Sequence, residues 1–168
     1  DQVEAAVLAS VTDRTRLALL DHVTSPTGVI FPLERILPAL RARNVTTLVD
    51  GAHAPGMVPL DLRSLRADYY TGNGHKWLCG PKGAGFLYVR RELQAGLRPL
   101  VISHGATDRR AQRTRFRYEF DWTGTDDPTP ALALADAIRY MGSQLPGGGP
   151  ALMARNRALA LRGREILC

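Results

Sequence analysis

Through its first ninety residues the chain alternates short apolar runs with amphipathic helical stretches. That order leaves few folds open, because strands separated by helices pair most readily as a parallel sheet with helices on its faces. Residues 3–10 read as a helix and residues 17–23 as a strand, closed by the turn formers Thr24-Ser25-Pro26-Thr27-Gly28. Residues 32–43 carry Leu33, Ile36, Leu37 and Leu40 at helical spacing. Residues 46–49 form a short buried strand that stops at Asp50-Gly51, and residues 60–66 a helical turn. Strands are expected again over 68–71 and 84–89, with a glycine-rich turn between them. Residues 130–142 then read as a helix, broken from a last one over 151–167 by Leu145-Pro146-Gly147-Gly148-Gly149-Pro150. The expected architecture is α/β, a mostly parallel sheet in a three-layer α/β/α arrangement. Ligands of such sheets sit at the carboxyl ends of the strands. The chain's unusual polar residues fall there: Ser25, Asp50, His53, Asn73, His75 and Lys76 each follow a strand candidate.

Composition narrows the class. With 168 residues, 45% of them hydrophobic and 23% charged, the chain can build one domain with a real core. No apolar run approaches the roughly 18–20 residues that span a bilayer, so no membrane is expected. Cys79 and Cys168 lack metal-ligand spacing, and a reduced, cytoplasmic setting is the plain reading. The net charge of +6 could suit an anionic partner. The basic residues are almost all arginine, however, with Lys76 and Lys82 the only lysines, and such a bias often reflects codon usage. The final helix carries Leu152, Leu159 and Ile166 on one stripe and reaches Cys168 without a glycine cap. It is expected to lead into a further domain, giving a division into residues 1–147 and residues 148–168.

Two segments carry chemistry. In Gly72-Asn73-Gly74-His75-Lys76-Trp77 a lysine follows a strand, behind two glycines that let the backbone come close to a ligand. An amine there can form a Schiff base, provided burial or neighbouring cations favour its neutral form. In Val49-Asp50-Gly51-Ala52-His53 a carboxylate closes an apolar strand and an imidazole follows three residues later. By itself Asp50 could equally be a turn former. A pyridoxal phosphate ring needs a carboxylate against its pyridine nitrogen and gains from a donor near its ring hydroxyl. Asp50 and His53 could fill those two places.

The runs Val49-Asp50-Gly51-Ala52-His53-Ala54-Pro55-Gly56 and Ala67-Asp68-Tyr69-Tyr70-Thr71-Gly72-Asn73-Gly74-His75-Lys76-Trp77-Leu78-Cys79-Gly80-Pro81-Lys82-Gly83 resemble the class V aminotransferase family. The likeness is greatest to its isopenicillin N epimerase-like branch and extends over residues 22–138. It implies part of the large domain of fold-type I pyridoxal-phosphate enzymes. By position, Lys76 would attach the cofactor as a Schiff base, Asp50 would face the pyridine nitrogen, and His53 would lie near the ring oxygen, where many relatives have Gln. His75 and Asn73 would help hold the phosphate. Ser25 falls where relatives often place an Asn near the cofactor. Trp122-Thr123-Gly124-Thr125-Asp126 resembles a segment that reaches the phosphate in a neighbouring subunit, so Thr125 becomes a candidate contact across a homodimer, or else part of a plain turn before the helix.

The implied substrate is an amino acid or a derivative of one. Lys76, freed by substrate, would move the Cα proton, and the fate of that proton would separate epimerisation, transamination and C–S lyase or desulfurase chemistry. A desulfurase would need a mobile nucleophilic cysteine. Cys79 lies close to the lysine turn and is read as a small core-facing thiol. The alternation in Arg113-Thr114-Arg115-Phe116-Arg117-Tyr118 suggests an extended segment with three arginines on one face, flanked by Arg109 and Arg110. With no stacking platform or nucleic-acid motif beside it, a solvated or dimer-facing strand is expected rather than a nucleic-acid contact. A non-catalytic basic domain that binds an anionic partner is the alternative from another class.

Overall fold

A computed structural model describes residues 2–168. Four strands, β1 (Leu17–Asp21), β2 (Thr46–Asp50), β3 (Tyr69–Asn73) and β4 (Gly85–Val89), lie side by side in chain order. β1 pairs parallel to β2 and β2 parallel to β3, while β4 returns antiparallel to β3. The mostly parallel α/β sheet is thus as expected. The expected first strand is longer than β1: beyond Asp21 the chain keeps only an isolated bridge from Val23 to Ile30, because Pro26 and Gly28 turn it out of the sheet.

Helices α1 (Gln2–Ala9) and α2 (Leu33–Ala42) pack together, and α2 covers the sheet. Its stripe of Leu33, Ile36, Leu37 and Leu40 is almost fully buried with Leu20, Val49 and Tyr70 from three strands. Each such side chain contributes about 1.5–3 kcal/mol of burial, which fixes α2, and so the sheet, ahead of any ligand. On β1 the opposite face carries Leu17 and Leu19, 54% and 66% exposed. The one-turn helix α3 (Leu62–Leu65) begins where Asp61 Oδ1 accepts hydrogen bonds from the amides of Arg63 and Ser64.

At the far edge of the strands a buried carboxylate sets the register. Asp68 Oδ2 accepts from the amide and hydroxyl of Thr47, at 2.8 and 3.1 Å, and Oδ1 pairs with Arg90 at 3.0 Å. One side chain thereby ties the starts of β2 and β3 to the end of β4.

The remaining chain passes through two short 3-10 turns, Arg91–Gly96 and His104–Ala106, into α4 (Arg115–Asp121), α5 (Thr129–Ser143) and α6 (Gly148–Leu167). The arginine-rich segment expected to be extended is helical. Thr114 Oγ1 caps it by accepting from the amide of Arg117. Phe116 and Phe120 pack as tilted rings with centroids 4.6 Å apart, and Arg115–Glu119 and Arg117–Asp121 close four-residue ion pairs. A period of two in the arginines concealed a period of four in their partners. No helix among the described residues is long and apolar enough to cross a membrane.

Candidate active site

The parallel order of β1, β2 and β3 brings their carboxyl ends to one edge, and the loops leaving that edge hold the candidate residues. Asp50 is the last residue of β2. Its Oδ1 accepts from the amide of Ala52 at 2.9 Å, which bends the chain back at once. The Gly51 amide donates to Thr71 O at 2.9 Å, so pairing with β3 continues one residue past the strand. The bend places His53 over the edge.

Asn73 closes β3, and the chain then makes a compact turn. The Gly80 amide donates to Gly74 O at 2.8 Å and the Cys79 amide to Lys76 O at 3.1 Å. The two loops touch through backbone: a Cβ on Gly56 would come within 2.7 Å of Trp77 O, and Gly56 sits at φ +84°. A methyl on Gly74 would collide with Leu134 of α5, so that helix buttresses the lysine turn from behind.

This packing joins two residues that are 23 positions apart. Lys76 Nζ lies 2.9 Å from His53 Nε2. The other ring nitrogen, His53 Nδ1, accepts from the indole N–H of Trp77 at 3.3 Å. Lys76 and His53 are half-buried and Trp77 is exposed.

Beneath the site lies a second polar pair. Buried His22 Nδ1 and Tyr70 Oη are 2.8 Å apart with the rings edge to face, and Tyr70 stacks on Phe86. The His22 amide donates to Asp50 O at 2.8 Å, which locks the end of β1 to the end of β2. Burial, and then the negative charge of Asp50, pushes the Tyr70 hydroxyl pKa far up, so it stays a donor. Burial also holds the His22 imidazole below its ordinary pKa, with Glu34 opposing the shift. The unfolded chain, with an ordinary histidine near 6.5, therefore binds this proton more readily than the folded one. Stability from His22 is complete above about pH 6.5 and is lost as pH falls through the depressed folded value. The full-length protein should show a falling urea midpoint from pH 7 to pH 5, and His22→Gln should flatten that slope. An identical slope in the variant would exclude His22 as its source.

The structure brings Lys76 and His53 into contact and sets Asp50 on the same edge. Asn73 is half-buried at the end of β3, next to that turn, and His75 is exposed on it. Ser25 is exposed in the turn after β1. Thr125 is exposed between α4 and α5, and no hydrogen bond joins it to the cluster among the described residues. Cys79 corrects an expectation. At φ +56° its backbone turns left-handed, and the side chain points outward and is exposed rather than core-facing. His22, Tyr70 and Trp77 shape the site without having been singled out. Trp77 stood beside the lysine in the motif, but its partner 24 positions away depends on how two loops pack.

A family model described as aminotransferase class-V matches residues 2–160. The chain is 37% identical to an isopenicillin N epimerase of Streptomyces clavuligerus over 99% of its own length and 44% of the relative's. It is 33% identical to a probable chloroplastic L-cysteine desulfhydrase of Arabidopsis thaliana, over 92% of this chain and 32% of the other. The chain thus spans less than half the length of these curated relatives. Among solved structures it superposes at TM-score 0.74 and 28% identity on a C-DES variant with glycine covalently linked to its PLP cofactor, covering 95% of this chain and 42% of that one. The cysteine desulfurase CsdA of Escherichia coli shares the fold, at TM-score 0.71 and 24% identity over 84% of this chain and 36% of that one.

Proposed function

The chain belongs to the class-V aminotransferase family, whose cofactor is pyridoxal phosphate, and from that premise we propose that Lys76 carries this cofactor in an enzyme acting at the Cα of an amino acid or amino-acid derivative. The 2.9 Å contact of Lys76 Nζ with His53 Nε2 carries the reading, because it sets an amine and an imidazole together on the strand edge that ends in Asp50. An amine, an imidazole and a carboxylate are the donor set that a pyridoxal ring requires, so the residues fit the group. When bound, the cofactor supplies a sink for the electrons left at the substrate's Cα.

In this reading the Asp50 carboxylate holds the proton on the ring nitrogen, and the amide of Ala52 fixes its orientation. His53 lies by the ring oxygen. Asn73 and His75 hold the phosphate, with Ser25 at its margin and Thr125 reaching a neighbouring subunit in a homodimer. Lys76 Nζ takes the Cα proton and returns it. Isopenicillin N epimerase-like chemistry is the favoured outcome, given the extent of the likeness to that relative. The likeness to a cysteine desulfhydrase supports a second reading, C–S bond cleavage. A basic binding domain is disfavoured because Arg110, Arg113, Arg115 and Arg117 pair with Asp108, Asp121 and Glu119.

The test uses the full-length protein. Added pyridoxal phosphate should give a visible absorbance band, and borohydride reduction followed by peptide mapping should put the label on Lys76. A label on Lys82, or none, overturns the assignment. Hydrogen exchange at Cα in deuterated water without sulfide release from cysteine would favour the epimerase-like reading, and sulfide release the lyase.

A further inference from the structure

An indole N–H is a donor only. Where Trp77 Nε1 donates to His53 Nδ1, that nitrogen must present its lone pair. A neutral imidazole has one donor and one acceptor nitrogen, so its proton then sits on Nε2. Nε2–H points at Lys76 Nζ, 2.9 Å away. An ammonium offers three donors and no acceptor, whereas a neutral amine can accept. The two contacts therefore coexist only when Lys76 receives the hydrogen bond through its lone pair. Reversing the His53 tautomer would favour the ammonium instead, and would break the bond to Trp77.

We propose that Trp77 is a positioning residue that selects the Nε2–H tautomer of His53 and thereby the nucleophilic, lone-pair-bearing form of the Lys76 amine. The inference rests on the role of Lys76 proposed above. It is built into the backbone. Trp77 follows Lys76 directly, so its indole and the lysine amine reach the two nitrogens of one ring. The close approach of Gly56 to Trp77 O holds the His53 loop against the lysine turn. Both contacts are made between the same two loops, so the donor that turns His53 Nε2–H toward the amine belongs to the same turn as the lysine.

The prediction concerns hydrogen-bond polarity, so it can be read without turnover. Full-length apoprotein labelled with 15N-histidine should show the His53 signal, identified by its loss in His53→Gln, in the Nε2–H tautomer. Trp77→Phe keeps a ring in place and removes only the donor. It should move His53 toward the Nδ1–H form and slow the attachment of pyridoxal phosphate at neutral pH by about 3- to 10-fold, the effect of losing one ordinary hydrogen bond. A glutamine amide donates to Lys76 without tautomers, so Trp77→Phe should lose that effect on rate in the His53→Gln background. A wild-type Nδ1–H signal overturns the proposal even if Trp77→Phe fails to fold. So does an unchanged tautomer in Trp77→Phe, or an equal slowing in both backgrounds. If Lys76 goes unlabelled while His53 keeps its Nε2–H form, the function proposed above fails and the tautomer selection stands.

Discussion

Lys76→Ala in the full-length protein is expected to abolish the borohydride-fixed cofactor and to lower hydrogen exchange at the substrate's Cα by on the order of 10²–10⁴-fold, the usual contribution of a positioned acid–base group. Two functions converge on one amine in this reading: covalent attachment and proton transfer. Lys82, the other lysine, lies further along the same loop, in the stretch that leads into β4. The fold should be indifferent to the change. Lys76 is half-buried, and among the described residues its side chain hydrogen-bonds to His53. The variant should therefore match the wild type in circular dichroism and thermal midpoint while losing the label. Lys76→Arg is the sharper control. It keeps a long basic side chain beside His53 but presents a guanidinium that stays protonated and cannot attack a carbonyl. If either variant retains the fixed cofactor or exchange within a few-fold of wild type, Lys76 is not the reacting residue.

Much of this arrangement was legible in the chain, for reasons of period. The stripe of Leu33, Ile36, Leu37 and Leu40 repeats as a helix must, and its burial followed. The strands ended near where a polar residue or glycine interrupted an apolar run, so Asp50 and Asn73 could be placed at the carboxyl edge of the sheet from the sequence alone. Partner choice across sequence distance was not legible. His53 and Trp77 meet because Gly56 lets two loops touch, and nothing in either motif states that register. The arginine segment misled for the opposite reason. Its alternating charges matched a strand, while the helix was decided by the Thr114 cap and by Glu119 and Asp121 one turn on from Arg115 and Arg117. Cys79 misled because a left-handed backbone reverses the direction that a side chain takes from a turn.

Gly51→Ala should be strongly disruptive, and its effect tests the layer under the site. Gly51 follows Asp50 directly, and the space where its Cβ would stand is filled by the ring and hydroxyl of Tyr70. Tyr70 cannot step aside cheaply. It is fully buried, stacked on Phe86 and hydrogen-bonded to His22. Overpacking of this kind costs about 1–3 kcal/mol, and the lost hydrogen bond about 0.5–1.5 kcal/mol, so a loss of roughly 2–4 kcal/mol is expected. Set against a typical total of about 5–15 kcal/mol, that is a large fraction, and it should appear as a clear drop in the urea midpoint. The same displacement would disturb Asp50, whose carbonyl accepts from the His22 amide and whose carboxylate depends on the bend at Ala52. Tyr70→Leu clears the ring from the space, so the cost of Gly51→Ala should shrink markedly in that background, a non-additive pair. A Gly51→Ala midpoint close to wild type would mean that Tyr70 does not support this edge, and full additivity would locate the strain in the backbone at Gly51 instead.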